Sequence, residues 1–212
     1  MPTHEHSDKI TIKYSFQNAW SINKSKKNVI QAGVQRNSLD VFADAVITEF
    51  RDQEFIWIAN NAAVSVLRSK FGDNQNISSV SHGMNNHVNT HNVAFMAALN
   101  PSPAHQRFLQ SIGMTDEKIK NAKVHQNIYQ AVMRTSIRNP DSTSDKTIIV
   151  PDLGSALYMQ MKIPGAEIQQ LDGGIEESNL VRGSKPLGDK PMTAAERQRK
   201  RRAKIKAAKS AA

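Results

Sequence analysis

Phe55-Ile-Trp-Ile-Ala59 is a run of five apolar residues that is rich in β-branched and aromatic side chains. Such a run is typical of a strand that is buried on both faces, as strands are in a parallel sheet. Asn60 and Asn61 end the run, and Ala62–Phe71 follows with apolar residues at helical spacing before Gly72. A strand followed directly by a helix is the repeating unit of an α/β fold.

The same alternation continues on both sides of this unit. By the same criteria, further helices are predicted over residues 39–50, 104–112, 116–138 and 155–161. Further strands are predicted over residues 77–80, 93–99, 147–150 and 167–171. The sequence therefore predicts an α/β fold class, a three-layer domain with a mostly parallel sheet, over residues 38–171.

The segments outside this domain differ from it in composition. Residues 1–37 are polar and weakly patterned, and are interpreted as an N-terminal extension, a loop or a short edge element. Residues 172–192 contain Gly and Pro without periodicity and are typical of a flexible linker. Residues 193–212 form a basic tail, helical or disordered, in which Thr193 and Glu196 have the spacing of a capping box.

The positive charge of the chain lies in that tail. The 212 residues carry a net charge of +9, but residues 1–180 hold 17 Lys/Arg and 17 Asp/Glu. Cations that neutralise phosphates bind DNA or RNA without sequence preference, so nucleic acid is the predicted partner. A tail that only aids solubility is the alternative. The cations predicted to bind nucleic acid are Arg197, Arg199, Lys200, Arg201, Arg202, Lys204 and Lys206.

Composition excludes several classes of protein. The chain has no cysteine, hence no disulfide framework, thiolate zinc site or cysteine nucleophile. No apolar run approaches the roughly 20 residues that span a bilayer, so no membrane partner and a cytoplasmic location are expected. His82, His87 and His91 lack an H-E-x-x-H motif and a nearby carboxylate, and no metal site is predicted. Neither G-x-x-x-x-G-K-[ST] nor G-x-G-x-x-G occurs, so the chain alone has no predicted cofactor.

Gln130, Arg134 and Arg138 repeat at i, i+4 and i+8, which places them on one face of the helix predicted over 116–138. Glutamine can hydrogen-bond a ribose or a water, and guanidinium groups can stabilise the charge that develops on a transferred phosphoryl group. These residues are the candidate catalytic set. A solvated polar stripe on an amphipathic helix is the alternative interpretation.

A second candidate set flanks the strand predicted over 93–99. His82, Gly83 and Asn85 precede that strand and Asn100 follows it. Loops at the carboxyl ends of parallel strands bind ligands, a glycine lets a ligand approach the backbone, and asparagine can contact a nucleotide or nucleic acid. Ordinary turn formation by Gly and Asn is the alternative.

In their order along the chain these motifs resemble the second, C-terminal RecA-like domain of superfamily 2 DEAD/DEAH-type helicases, particularly those of phages and mobile elements. Phe55–Asn61 looks like the strand and turn that open that domain. His82–Asn85 with Val93–Pro101 is similar to its fifth motif. Tyr129–Arg138 is similar to its arginine-bearing sixth motif, except that Thr135-Ser-Ile137 stands where the family carries glycines.

The resemblance implies a function for the candidate residues. In the family the second domain closes over ATP and Mg²⁺ held by the first, so Arg134 and Arg138 would reach the γ-phosphate while Gln130 positions them or the attacking water. The chain has no Walker A motif, so a separately encoded helicase N-terminal domain is the implied partner, and the chain alone is not expected to hydrolyse ATP.

A second hypothesis comes from a different class of protein. The chain can instead be a non-enzymatic nucleic-acid-binding or regulatory protein, including a degenerate helicase remnant. In that case the sheet serves as a docking platform, and the tail holds the nucleic acid.

Overall fold

The structure is a computed structural model that describes residues 9–31, 33–79, 86–139 and 141–172, together with residue 198. The chain divides into two compact units, Met1–Val181 and Arg182–Ala212. Gln198, the described residue of the second unit, is helical and exposed. The predicted linker beyond Asp172 and the rest of the basic tail lie outside the described residues, so the fold given below is that of the first unit.

The strands and helices of the described residues follow the alternation of an α/β chain. The strands are β1 (Ile10–Phe16), β2 (Asn28–Gln31), β3 (Val34–Asn37), β4 (Phe55–Ile58), β5 (Asn92–Phe95), β6 (Lys146–Asp152) and β7 (Glu167–Gln170). The α-helices are α1 (Ile22–Ser25), α2 (Ser38–Phe50), α3 (Asn61–Phe71), α4 (Pro103–Ser111), α5 (Asp116–Lys120), α6 (Gln126–Val132) and α7 (Leu153–Lys162). A π-helical segment (Asn121–His125) joins α5 to α6, and a 3-10 turn (Ser136–Arg138) precedes β6.

Five strands form one all-parallel sheet in the order β4-β5-β6-β1-β7, while β2 and β3 make a separate antiparallel hairpin. Side chains of α2 and α3 pack on one face of the sheet. The π-helical segment, α6 and α7 pack on the other face. A parallel sheet between two helical layers is the three-layer RecA-like fold class that the sequence predicted.

The sheet residues alternate between two hydrophobic cores. In β4, Ile56 and Ile58 belong to the core under α6 and α7, whereas Phe55 and Trp57 belong to the core under α2 and α3. All four side chains are buried, which is why this strand is a continuous apolar run rather than an alternating one. The strands predicted over 93–99, 147–150 and 167–171 correspond to β5, β6 and β7.

The predicted N-terminal extension over 1–37 is wrong for residues 10–37, because β1 lies inside the sheet between β6 and β7. Ile12 is completely buried, and pairs with Ile148 on one side and Ile168 on the other. The domain therefore begins by residue 10 rather than at residue 38, and β1 opens the sheet in place of the strand at residue 55.

Two other predicted elements differ from the structure. No strand forms over the described residues 77–79, because Asn76 makes only a single bridge to Trp57 and the chain turns at Ser79. The single helix predicted over 116–138 is divided into α5, the π-helical segment, α6 and the 3-10 turn.

The position of β1 makes a prediction that separates an interior strand from an extension. Ile12→Ala should lower the free energy of unfolding by about 2–5 kcal/mol, because it leaves a cavity in the core. Ile30→Ala is the control, since Ile30 is 53% exposed on the hairpin, and its effect should stay within about 0.5 kcal/mol. Chemical denaturation measures both, and equal effects would contradict the central position of β1.

Candidate functional site

The arginine segment (residues 130–138) does not form one helical face. Gln130 lies on α6, which ends at Val132, and Arg134 lies in the turn that follows. Arg138 is in the 3-10 turn. The i, i+4, i+8 argument therefore fails after Gln130, although Arg134 and Arg138 stay close in sequence. Gln130 and Arg138 are exposed and Arg134 is half-buried.

Thr135 accounts for this break. Its backbone is extended (φ −92°, ψ −177°), its hydroxyl donates to the carbonyl of Val132 at 2.7 Å, and the same oxygen accepts from the N–H of Ile137. A threonine hydroxyl that bonds nearby backbone groups offers the chain an alternative to the helix. Both bonds are buried, so water does not compete for them.

Hydrogen bonds connect the 3-10 turn to the residues that precede β5 in the chain. The N–H of Ser136 donates to the carbonyl of Thr90 at 3.0 Å, and His91 Nδ1 and Ser136 Oγ are 2.7 Å apart. The turn that carries Arg138 is thereby bonded to Thr90 and His91, which follow the second candidate set after residues 86–89. His82, Gly83 and Asn85 of that set lie outside the described residues.

Asn100 lies at the other end of β5. Thr90 precedes that strand, and Asn100 follows it on the carboxyl edge, the edge where β4, β5, β6 and β1 end. Its Nδ2 donates to the carbonyl of Trp20 at 2.6 Å. The structure therefore does not bring Asn100 together with the arginine segment, and its side-chain amide ties two loops of the carboxyl edge.

Trp20 joins the loops of the carboxyl edge. Its N–H donates to Asp152 Oδ2 at 2.8 Å, and its indole N–H donates to the carbonyl of Met96 at 3.0 Å. Its ring stacks on Phe16 with centroids 4.5 Å apart and meets the edge of Phe42. These hydrogen bonds connect the loop after β1 to the ends of both β5 and β6. Trp20 itself is buried.

A crevice is expected between the ends of β1 and β6, because the chain leaves these neighbouring strands in opposite directions. Open α/β sheets bind their ligands at such a point. Here Lys24 lies in that region, with Nζ bonded to the carbonyl of Asn18 at 3.1 Å and 4.9 Å from the centre of the Phe16 ring. Lys24 and Trp20 are both buried, so the protein's own side chains occupy the end of β1.

Both carboxylate oxygens of Asp152, at the end of β6, accept hydrogen bonds. Oδ1 accepts from both the N–H and the hydroxyl of Ser155, each at 2.9 Å, while Oδ2 accepts from Trp20. The carboxylate is buried and caps α7. Its hydrogen bonds therefore serve the fold, and sequence reasoning missed the residue because its partner Trp20 lies 132 positions away.

His125 is a buried titratable group that the sequence analysis also missed. It lies in the π-helical segment, where Nδ1 is 2.8 Å from Asn121 Oδ1 and the ring stacks on Tyr158. Nε2 is buried and has no partner among the described residues. Burial and the positive charge of Lys120 lower its pKa to about 4, against the opposing effect of Asp152, so the imidazole is neutral at pH 7.

No protein-family model, curated protein or solved structure matches the chain. Among the described residues, no three His, Asp or Glu side chains are grouped closely enough to hold a metal ion. None of the helices in the described ranges has the length and apolar content to cross a bilayer.

The low pKa of His125 predicts a loss of stability in acid. Between pH 6.5 and about 4 the unfolded chain binds a proton that the folded chain does not, so stability falls as the pH drops through this window. His125→Phe, which retains a ring against Tyr158, should remove about 3 kcal/mol of that dependence.

The measurement is the free energy of unfolding of wild type and variant from pH 7 to pH 4. His105→Gln is the control, because His105 is exposed on α4, and its curve should follow that of the wild type. A His125→Phe curve parallel to the wild type would contradict the assignment.

Proposed function

We propose that this chain is a helicase-like C-terminal half-domain that supplies Arg134 and Arg138 to an ATP site completed by a separate Walker A domain. The observation that carries the proposal is the braced 3-10 turn, in which Ser136 is bonded to Thr90 and His91. A guanidinium on a rigid turn is preorganised to meet the charge that develops on a γ-phosphate. Arg138 is exposed on this turn.

The residues at the carboxyl edge support the part of this proposal in which a separate domain binds ATP. The chain lacks a phosphate-binding loop, and Trp20 and Lys24 occupy the position after β1 where such a loop would lie. In the proposed complex the partner holds ATP and Mg²⁺, water attacks the γ-phosphorus, and ADP leaves. Arg134 and Arg138 stabilise the negative charge on the transferring group, and Gln130 orients the water or the arginines.

The basic tail adds the second part of the proposal, which is non-specific binding of DNA or RNA. The cations of residues 197–206 have no comparable number of acidic neighbours, since residues 181–212 hold 11 Lys/Arg and 2 Asp/Glu. A neutral domain with a cationic tail can hold a DNA or RNA strand near a helicase without recognising the sequence of that strand.

The ATP-site proposal is tested with the partner isolated from the native host. Pull-down with this chain should retain a protein that carries G-x-x-x-x-G-K-[ST], and the pair should hydrolyse ATP while the chain alone does not. Arg134→Ala or Arg138→Ala should lower kcat of the pair by about 10³-fold without preventing its assembly. Arg107→Ala, at an exposed arginine of α4, is the matched control and should leave kcat unchanged.

Two results would contradict this assignment. One is ATP hydrolysis by the purified chain alone at a rate comparable to that of the pair. The other is a pair whose kcat is insensitive to both arginine substitutions.

The tail is tested by removing residues 182–212. The intact chain should bind a single-stranded oligonucleotide with a plot of log K against log salt whose slope is about −5 if all seven predicted cations contact phosphates. The truncated chain should lose most of that affinity and that slope. Equal binding by both forms would show that the body, rather than the tail, holds the strand.

The alternative is a non-enzymatic nucleic-acid-binding or regulatory protein, and the confinement of all excess charge to the last 32 residues favours it. It predicts the same result for the tail, but recovery of nucleic acid without a Walker A protein. The identity of the co-purifying partner therefore distinguishes the two functions.

A further inference from the structure

A cavity of about 350 Å³ opens at the carboxyl edge, on the side of the sheet that α2 and α3 cover. Ile22, Leu39, Val66 and Met96 form its apolar wall, and Lys26 and Asn60 are among its polar groups. The volume is at the lower end of the range for small-molecule sites. Val66 is 52% exposed and Ile22 44%, so their part of the apolar wall is open to solvent, whereas Met96 is buried.

Lys26 supplies a positive charge to the cavity. It is exposed, and it makes no ion pair with another described residue. Lys27 beside it is also exposed, but it does not line the cavity. A lysine at the margin of an apolar pocket can pair with an anionic group of a bound molecule.

The start of α3 lies on the same cavity, which Asn60, Ala62 and Ala63 help to line. Asn60 precedes the helix but makes no side-chain cap, because Oδ1 accepts from the N–H of Ala98 at 2.8 Å and Nδ2 donates to the Ala98 carbonyl at 3.0 Å. The Asn60 side chain therefore accepts no hydrogen bond from the first turn of α3, in which the amide of Ala63 donates to the Asn60 carbonyl at 2.8 Å. The start of α3 adds a partial positive charge to the cavity lining.

Asp40 is the acidic residue of the cavity lining. Its Oδ1 is 3.7 Å from Lys70 Nζ, which also donates to Asp44 at 2.7 Å. The charge of Asp40 is therefore paired with that of Lys70 on α3, whereas no described residue forms an ion pair with Lys26. The uncompensated charge of the cavity is positive.

We infer that this cavity binds a small organic oxyanion, a phosphate monoester or carboxylate with an apolar body the size of one aromatic ring. The anionic group lies between Lys26 and the first-turn amides of α3, and the apolar body contacts Leu39, Val66 and Met96. This inference is independent of the ATP-site proposal, because Arg134 and Arg138 do not line the cavity.

The test uses the full chain, with phenyl phosphate as the probe in an NMR titration. Saturable shifts are expected at the backbone amides of Asn61, Ala62 and Leu39. Lys26→Ala should weaken binding about tenfold, since it removes a charge-assisted contact. Lys27→Ala is the matched control and should change Kd less than twofold.

Val66→Asp provides a second, independent variant. Its carboxylate would repel the anion and replace an apolar contact, and the 52% exposure of Val66 allows the change without disturbing the core. Binding should fall below detection while the thermal unfolding midpoint stays near that of the wild type. If this variant does not fold, the Lys26 and Lys27 pair still decides the result.

Three outcomes would overturn the inference. Equal losses in Lys26→Ala and Lys27→Ala would indicate general charge attraction rather than a site. Binding of inorganic phosphate as tightly as phenyl phosphate would indicate an adventitious ion only. Displacement of phenyl phosphate by a single-stranded oligonucleotide at equal phosphate concentration would assign the cavity to nucleic acid instead.

Discussion

The pairing of β1 with β6 and β7 is the constraint on which the rest of this domain depends. β1 is the first of the described strands but lies inside the sheet, so the sheet is complete only when the first and last described strands have met. Without β1, β7 has no partner and β6 presents an open edge. The pairing also determines where the next loop lies, since Trp20 follows β1 closely and reaches the ends of β5 and β6 through its hydrogen bonds.

That loop lies at the carboxyl edge of the sheet, whereas the 3-10 turn lies at the amino end of β5. At the carboxyl edge, the N–H of Trp20 donates to Asp152, and Lys24 donates to the carbonyl of Asn18. Trp20 and Lys24 are buried at the end of β1, which is the customary ligand position in a parallel sheet. The side chains at this position therefore stabilise the fold. At the amino end of β5, the 3-10 turn with Arg138 is braced by Thr90 and His91, and Arg138 stays exposed. Of the groups in the proposed function, Gln130 and Arg138 are therefore exposed, whereas Arg134 is half-buried in the turn before the 3-10 turn.

Local sequence predicted the strands and helices whose environment is simple. β4 is buried on both faces, so its apolar run was sufficient evidence for a strand. β1 alternates apolar and polar residues, but residues 1–37 as a whole are polar and weakly patterned, and that composition predicts an extension. Lys13 in fact forms an ion pair with Glu49 at 2.6 Å, with both side chains largely buried. A polar residue that is neutralised by a distant partner cannot be distinguished by sequence from one that faces water.

The sequence by itself determined the α/β class, the neutral body, the basic tail and the absence of a phosphate-binding loop, because these follow from composition, short motifs and local periodicity. Only the tertiary structure decided the central position of β1, the break at Thr135 and the burial of His125. It also decided the cavity beside α2 and α3. Each of these depends on contacts between residues far apart in the chain, or on competition between a side chain and the backbone for the same hydrogen bond.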